Sequence, residues 1–517
     1  MNRLKKFFYN ASLLTLTSLF MRGVALAFNV WISNKVGAEA LGLFSLISGV
    51  YGFALTLATS GIALAATRMV AEALGHEDDG LVRASMRRCV CYSLFFGFLS
   101  AILLFSLAKI IGIHWLDDER TVLPLRLMAI TLPLIALASC FNGYFTAVRR
   151  VAKNALSQVA EQAVKIGATV MLLTFILPSG IEYACIALVL GGALSEILSF
   201  TVMTVMYVLD KRKNIKNESS SVEGKAVTKN LLSIALPVAF STYARSALLS
   251  VEHALIPAGL RKSGASREHS LAAYGTLTGM VMPVILFPAA LIGSFSGMTI
   301  PEISDCIARG HKNRIRYIAG RVWQFCLMFS VGVSGILICF SEELGMCLYS
   351  SPEAGIYIKM IAPLIPIMYL DTTTDALLKG LGQQFYSMNV NIIDALLSVF
   401  LVWILIPRWG IGGYIFVIIS MEVLNFGLSA TRMLNISGMK PKFFAWLFKP
   451  LICIIASTFL TKSLFSIGGA TAAPLWLSLT LHITVSALIY FVLLSITKTI
   501  TREDGAWLAG LFKGKDT

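Results

Sequence analysis

Apolar runs of about twenty residues recur along the whole 517-residue chain, and they limit its fold more than any other feature. They fall near residues 11–33, 43–66, 89–111, 122–146, 157–177, 183–208, 231–256, 271–299, 322–340, 354–378, 386–406, 411–434, 446–466 and 474–497. At 1.5 Å per residue each run matches the roughly 30 Å of hydrocarbon in a bilayer. Inside hydrocarbon a helix satisfies its own backbone, so the expected class is an all-α polytopic membrane protein with fourteen spans. Composition agrees: 56% of residues are hydrophobic and 14% are charged, where a soluble domain carries about 25% charged residues. The segment "MNRLKKFFYNASLLTLTSLF" imitates a signal peptide, but its apolar stretch is too long and no small-residue cleavage site follows, so it reads as an uncleaved first span.

The distribution of charge gives an orientation. With the N-terminus inside, 30 of the 43 lysines and arginines fall on the cytoplasmic side and ten on the other, with Arg22, Lys165 and Arg245 left inside spans. Both termini are therefore expected in the cytoplasm of a cell-membrane protein. The net charge of +15 follows from this bias and from contact with anionic lipid, so no nucleic-acid partner is needed. The polar segment 209–230, "LDKRKNIKNESSSVEGKAVTKN" from 209 on, reads as a cytoplasmic linker. The expected organisation is an N-lobe of six helices (1–208), the linker, a C-lobe of six helices (231–434), then two more helices and a cytoplasmic tail (435–517).

"TSLFMRGVALAFNVWISN" would pass as an ordinary span but for Arg22 at its centre, and "FSTYARSALLSVE" carries Arg245 in the same way. A guanidinium at the middle of a bilayer costs about 2.5–3.5 kcal/mol even on lenient scales. Seven residues on, along the same helical face, stand Asn29 and Glu252. Snorkelling or a structural ion pair would account for one such arginine. Two at matched positions, six spans apart, point instead to a repeat and to a water-filled cavity with basic walls.

Other charges lie within the spans. Glu161 and Lys165 are four apart in the favourable order for a helical ion pair, and Lys165 is also a candidate contact for an anionic substrate. Asp371, Asp375, Asp394 and Glu422 are candidates for a coupling-ion site, with helix-to-helix polar contacts as the competing reading. Pro283, Pro288, Pro363 and Pro366 should bend their helices. The nine cysteines show no CxxC or Cys/His ligand spacing, so no metal is expected. There is no P-loop and no H-x-x-x-x-D pattern. Asp117 and Asp118 in "HWLDDER" are the one hint of a membrane glycosyltransferase.

"NGYFTAVRRVAKNALSQVAEQAVKI", "ALIPAGLRKSGASREHSLAAYGTLTGMVMPVILFPAALIGSFSGMTIPEISD" and "APLIPIMYLDTTTDALLKGLGQQ" resemble the corresponding regions of the stage V sporulation protein B family. That family belongs to the exporter superfamily of multidrug extruders (MATE), O-antigen flippases and MurJ-type lipid II flippases. The resemblance implies a MATE/MurJ-like fold and a non-enzymatic flippase for an undecaprenyl-diphosphate-linked glycan, such as a peptidoglycan precursor, working by alternating access. It also implies a role in sporulation or polysaccharide biosynthesis. Arg22 matches the mid-membrane basic residues of MurJ-type proteins. A second arginine in span 7, where those proteins carry further arginines in early spans and span 8, is a departure. The implied partners are the lipid-linked glycan diphosphate and membrane lipid. The transport unit is expected to be monomeric, without a cofactor, and driven by Na⁺, H⁺ or the membrane potential. The alternatives are a cation-coupled multidrug exporter, which calls for first-lobe carboxylates where span 1 has Arg22, and a membrane glycosyltransferase.

Overall fold

The structure is a computed structural model that describes residues 3–59, 61–176, 180–214, 224–442, 444–467 and 474–500. Every regular element among the described residues is a helix. In chain order these are α1 (Arg3–Thr59), α2 (Ile62–Gly75), α3 (Asp79–Ile110), α4 (Val122–Ala147), α5 (Val151–Ile176), α6 (Ile181–Asn214), α7 (Gly224–Lys262), α8 (Arg267–Gly275) and α9 (Met282–Leu286). They continue with α10 (Ala289–Ala308), α11 (Lys312–Cys339), α12 (Ser341–Tyr349), α13 (Pro352–Ile361), α14 (Ile365–Gly380), α15 (Gln384–Ser437), α16 (Lys449–Ile467) and α17 (Leu475–Ile496). Eleven helices among the described residues are long and apolar enough to cross a membrane. The all-α membrane class is thus as expected, while the count of fourteen spans remains an expectation. The helices outrun their apolar stretches: α6 reaches Asn214 and α7 starts at Gly224. The middle of the expected linker, 215–223, and the tail from 501 lie outside the described residues.

Two helices are too long to be single spans, and glycine divides each of them. In α1, of 57 residues, Gly37 adopts φ 81°, ψ 173°. In α15, of 54 residues, Gly410 adopts φ 58°, ψ −139°. Side chains with a Cβ clash in this part of backbone space, so glycine alone enters it at low cost. The prolines also act as read from the sequence. Pro288 stands at the break between α9 and α10, and Pro363 lies in a tight turn between α13 and α14.

By packing, the chain forms two units, Met1–Lys35 with Thr276–Thr517, and Val36–Gly275. In the unit 36–275, α2 buries Ile62, Ala65, Ala66, Met69, Val70 and Ala73, one stripe at helical spacing. The stripe packs on Met86 and Cys89 of α3, Tyr144 and Phe145 of α4, and Leu231 and Ala235 of α7. Its three alanines admit close backbone approach, as is common between helices in lipid. Thr67 adds a hydrogen bond of 3.0 Å from its hydroxyl to the Gly143 carbonyl of α4. In the other unit α11 is central. Tyr490 of α17 donates to the Met328 carbonyl at 2.7 Å, and Ser334 donates to the Ala362 carbonyl at 2.7 Å. Facing outward, Phe240 is 81% exposed and Phe175 and Phe459 are also exposed, as suits helices in hydrocarbon.

Candidate functional site

Arg22 lies near the middle of the first segment of α1, and Arg245 near the middle of α7. Both side chains are exposed. Neither guanidinium makes an ion pair or hydrogen bond among the described residues. Asn29 is half-buried, and its buried Oδ1 accepts no hydrogen bond among the described residues. Glu252 is half-buried and already engaged by an interaction. Each helix therefore presents an uncompensated cation, and α1 adds an unfilled acceptor on the same face.

Within the unit 36–275 the polar residues of the spans come together. Glu161 and Lys165 of α5 share an electrostatic field with Glu196 of α6. The Glu196 carboxyl lies near Thr131 of α4 and Tyr51 of α1, whose hydroxyls are 3.1 Å apart. Glu161 and Lys165 form no ion pair with each other among the described residues; both lie instead near Glu196. Glu196 escaped the sequence reading because its partners all stand on other helices.

The coupling-ion candidates also converge, in the unit that holds 276–517. Glu422 lies in the field of Asp394 and Asp375, which places acids from α14 and from both segments of α15 together. Ser387 donates a 2.6 Å hydrogen bond to Asp375 Oδ1. Asp371 is one turn away on α14, half-buried and engaged. Among the described residues no group of three or more His, Cys, Asp or Glu is placed to hold a metal ion.

Two ionic networks at helix ends were not foreseen. Asp118 is 2% exposed and binds Arg120 through Nε and NH2, while Arg267 NH2 lies 3.4 Å from its Oδ2. Arg120 NH1 also reaches Glu39 at 3.1 Å, and Arg261 reaches Asp117 at 3.4 Å. Of the two acids that hinted at glycosyl transfer, Asp118 is committed to arginines and the exposed Asp117 meets Arg261. At the opposite end of α4, Asp210 accepts from the Tyr144 hydroxyl at 2.9 Å, from Lys153 Nζ at 2.6 Å and from Arg150 NH1.

Long apolar helices, two of them broken at glycine and several carrying cations or acids at mid-span, define a multi-pass membrane protein. Residues 7–307, more than half the chain, match the polysaccharide biosynthesis protein family. The chain belongs to that family. Residues 263–404 match the MatE family as well. The chain is 27% identical over 485 residues to stage V sporulation protein B of Bacillus subtilis (strain 168), covering 92% of each protein. It is 23% identical over 422 residues to the lipid II flippase MurJ of the same organism, covering 75% of each. Among solved structures, a lipid II flippase MurJ in the inward closed conformation superposes with a TM-score of 0.68 at 14% identity, over 95% of this chain and 98% of that one.

Proposed function

We propose that this protein flips an undecaprenyl-diphosphate-linked glycan, such as a peptidoglycan or other envelope precursor, from the inner to the outer leaflet by alternating access. The observation that carries the reading is the two exposed arginines at mid-helix, each without an ion pair or hydrogen bond among the described residues. Facing lipid, each would cost about 2.5–3.5 kcal/mol, so each is read as facing water. A polar headgroup does not cross hydrocarbon unaided. A guanidinium offers bidentate, charge-assisted bonds to phosphate oxygens, which matches a diphosphate. Asn29, Glu252 and Lys165 are assigned to the sugar and phosphate contacts of the same substrate. The names borne by the relatives, a lipid II flippase and a sporulation protein, support this substrate class.

Transport is assigned to a single chain, without a cofactor, with both termini in the cytoplasm. The test is rescue of a strain depleted of its lipid II flippase, with Arg22→Ala alongside at matched membrane abundance. Rescue by the parent and failure of the variant support the reading; equal rescue by both removes the arginine from the mechanism.

One observation favours a second reading. The group of Glu422, Asp394 and Asp375, within a region matched by the MatE family in part, would suit a cation-coupled multidrug exporter. That reading requires Na⁺- or H⁺-dependent efflux of organic cations.

A further inference from the structure

Within the unit 36–275, α3 and α7 pack side by side. Where α7 begins, an open recess of about 380 Å³ is lined by Arg88 of α3 and by Gly224, Lys225, Thr228, Lys229 and Leu232 of α7. Among the described residues three cations line it and no carboxylate does. The Arg88 guanidinium lies across the first residue of α7. A methyl group built on Gly224 would stand 2.6 Å from Arg88 NH2, so the guanidinium lies close against the backbone there.

Beyond the recess each helix keeps an apolar face exposed. On α7, Leu232, Leu236 and Phe240 follow at four-residue intervals, all exposed. On α3, Phe95 is 63% and Ile102 64% exposed, with Leu99 exposed between them. Further along the same two helices an apolar cavity of about 330 Å³ opens, lined in part by Leu103 and Leu107 of α3 and by Ala247 and Val251 of α7. A basic recess thus sits above two adjacent hydrocarbon tracks.

We infer that the α3–α7 seam is a binding site for a two-chain anionic phospholipid, its headgroup phosphate on Arg88, Lys225 and Lys229 and its chains along the two apolar tracks. Basic recesses between membrane helices hold lipid headgroups by this combination of charge and hydrocarbon. A soluble anion would use the cations but leave the tracks idle, so the occupant is drawn from the bilayer. Lys229 and Arg245 are sixteen residues apart on α7, about 24 Å along a helix. The site is therefore separate from the arginine proposed for transport and does not depend on that proposal.

The test uses the full-length purified protein and native mass spectrometry. Phosphatidylglycerol and phosphatidylcholine with identical acyl chains are added in turn, with glycerol phosphate as a soluble competitor. One phosphatidylglycerol should survive collisional activation that strips phosphatidylcholine. The triple variant Arg88→Gln, Lys225→Gln, Lys229→Gln should lose that retained lipid at least tenfold, and Lys229→Gln alone about threefold. All three side chains are exposed, which favours folding of the variants. A charge-matched control, Lys312→Gln, Lys440→Gln, Lys442→Gln, should retain it. Phe95→Ser with Phe240→Ser should weaken retention with the cations intact. Equal retention of phosphatidylcholine, equal loss in the control, full retention in the triple variant, or displacement by glycerol phosphate would each overturn the assignment.

Discussion

Arg120 grips Asp118 with two nitrogens at once: Nε lies 3.0 Å from Oδ1 and NH2 lies 2.9 Å from Oδ2. The two residues are neighbours in sequence, but the carboxylate also draws in Arg267 from 149 positions away. Removing the acid leaves two guanidinium groups facing each other. Breaking a fully buried ion pair costs roughly 3–5 kcal/mol. Arg120 keeps some solvent contact, so Asp118→Asn should cost about 2–3 kcal/mol, below that range. Thermal unfolding in detergent should show a clear drop in midpoint. Arg120→Lys keeps the charge without the fork and should fall between. An unchanged midpoint for Asp118→Asn would mean that the network contributes nothing to stability.

Arg22→Ala and Arg245→Ala should keep membrane abundance and lose transport, because neither side chain has a partner among the described residues whose loss would unsettle the fold. Lysine at either position should rescue in part, restoring charge without bidentate geometry. The informative control is Arg245→Ala with Glu252→Ala. If Arg245 binds substrate, the double variant is abundant and inactive. Recovery of both abundance and transport in the double variant would instead make Arg245 the structural counter-ion of Glu252.

A diphosphate lipid moving outward carries about two negative charges towards the positive side. At roughly 2.3 kcal/mol per charge per 100 mV, the potential supplies about 4–5 kcal/mol. Collapsing the potential should therefore slow transport, and Glu422→Gln should not. The opposite pattern, indifference to potential with loss in Glu422→Gln and Asp394→Asn under a Na⁺ or proton gradient, assigns the drive to the acids of α14 and α15.

Orientation is open to direct measurement. Single cysteines placed in 257–270 should react with an impermeant maleimide from outside, and those in 209–230 should not. Cys91 is an exposed native cysteine and has to be replaced first. Labelling of the linker from outside would reverse the topology and the direction of transport.

Gly37→Ala separates backbone strain from steric clash. An added methyl at Gly37 meets no atom within 4 Å, so the penalty comes from the backbone alone, at φ 81°. A cost of about 1–3 kcal/mol is expected. Gly52→Ala, with equal room but helical backbone, should be harmless or slightly stabilising. Similar unfolding midpoints for the two variants would show that the bend relaxes freely.

The spans were legible because run length and bilayer thickness are the same physical quantity seen twice. Arg22 and Arg245 stood out because an uncompensated charge in an apolar run is costly wherever it faces. Residues whose meaning depends on distant partners were not legible. Asp118 and Asp210 read as loop charges; their partners include Arg267, Arg150, Lys153 and Tyr144, all distant in sequence. Glu196 shows no partner at i±4, and its neighbours Tyr51 and Thr131 come from α1 and α4. The packing division between Lys35 and Val36 follows closely on the Gly37 break, yet nothing in composition marks it as more than a loop.

Asp210 stands four residues before α6 ends, and Tyr144, Lys153 and Arg150 hold it there. On the far side of 215–223, Val227 and Leu231 of α7 are already buried against α2, α3 and α4. Both α6 and α7 are thus anchored to the same unit by contacts of their own, and the covalent connection is not what keeps them together. A gene divided into two cistrons at this point should yield two polypeptides that meet in the membrane and purify as one complex. The same position becomes a natural insertion point for a reporter domain.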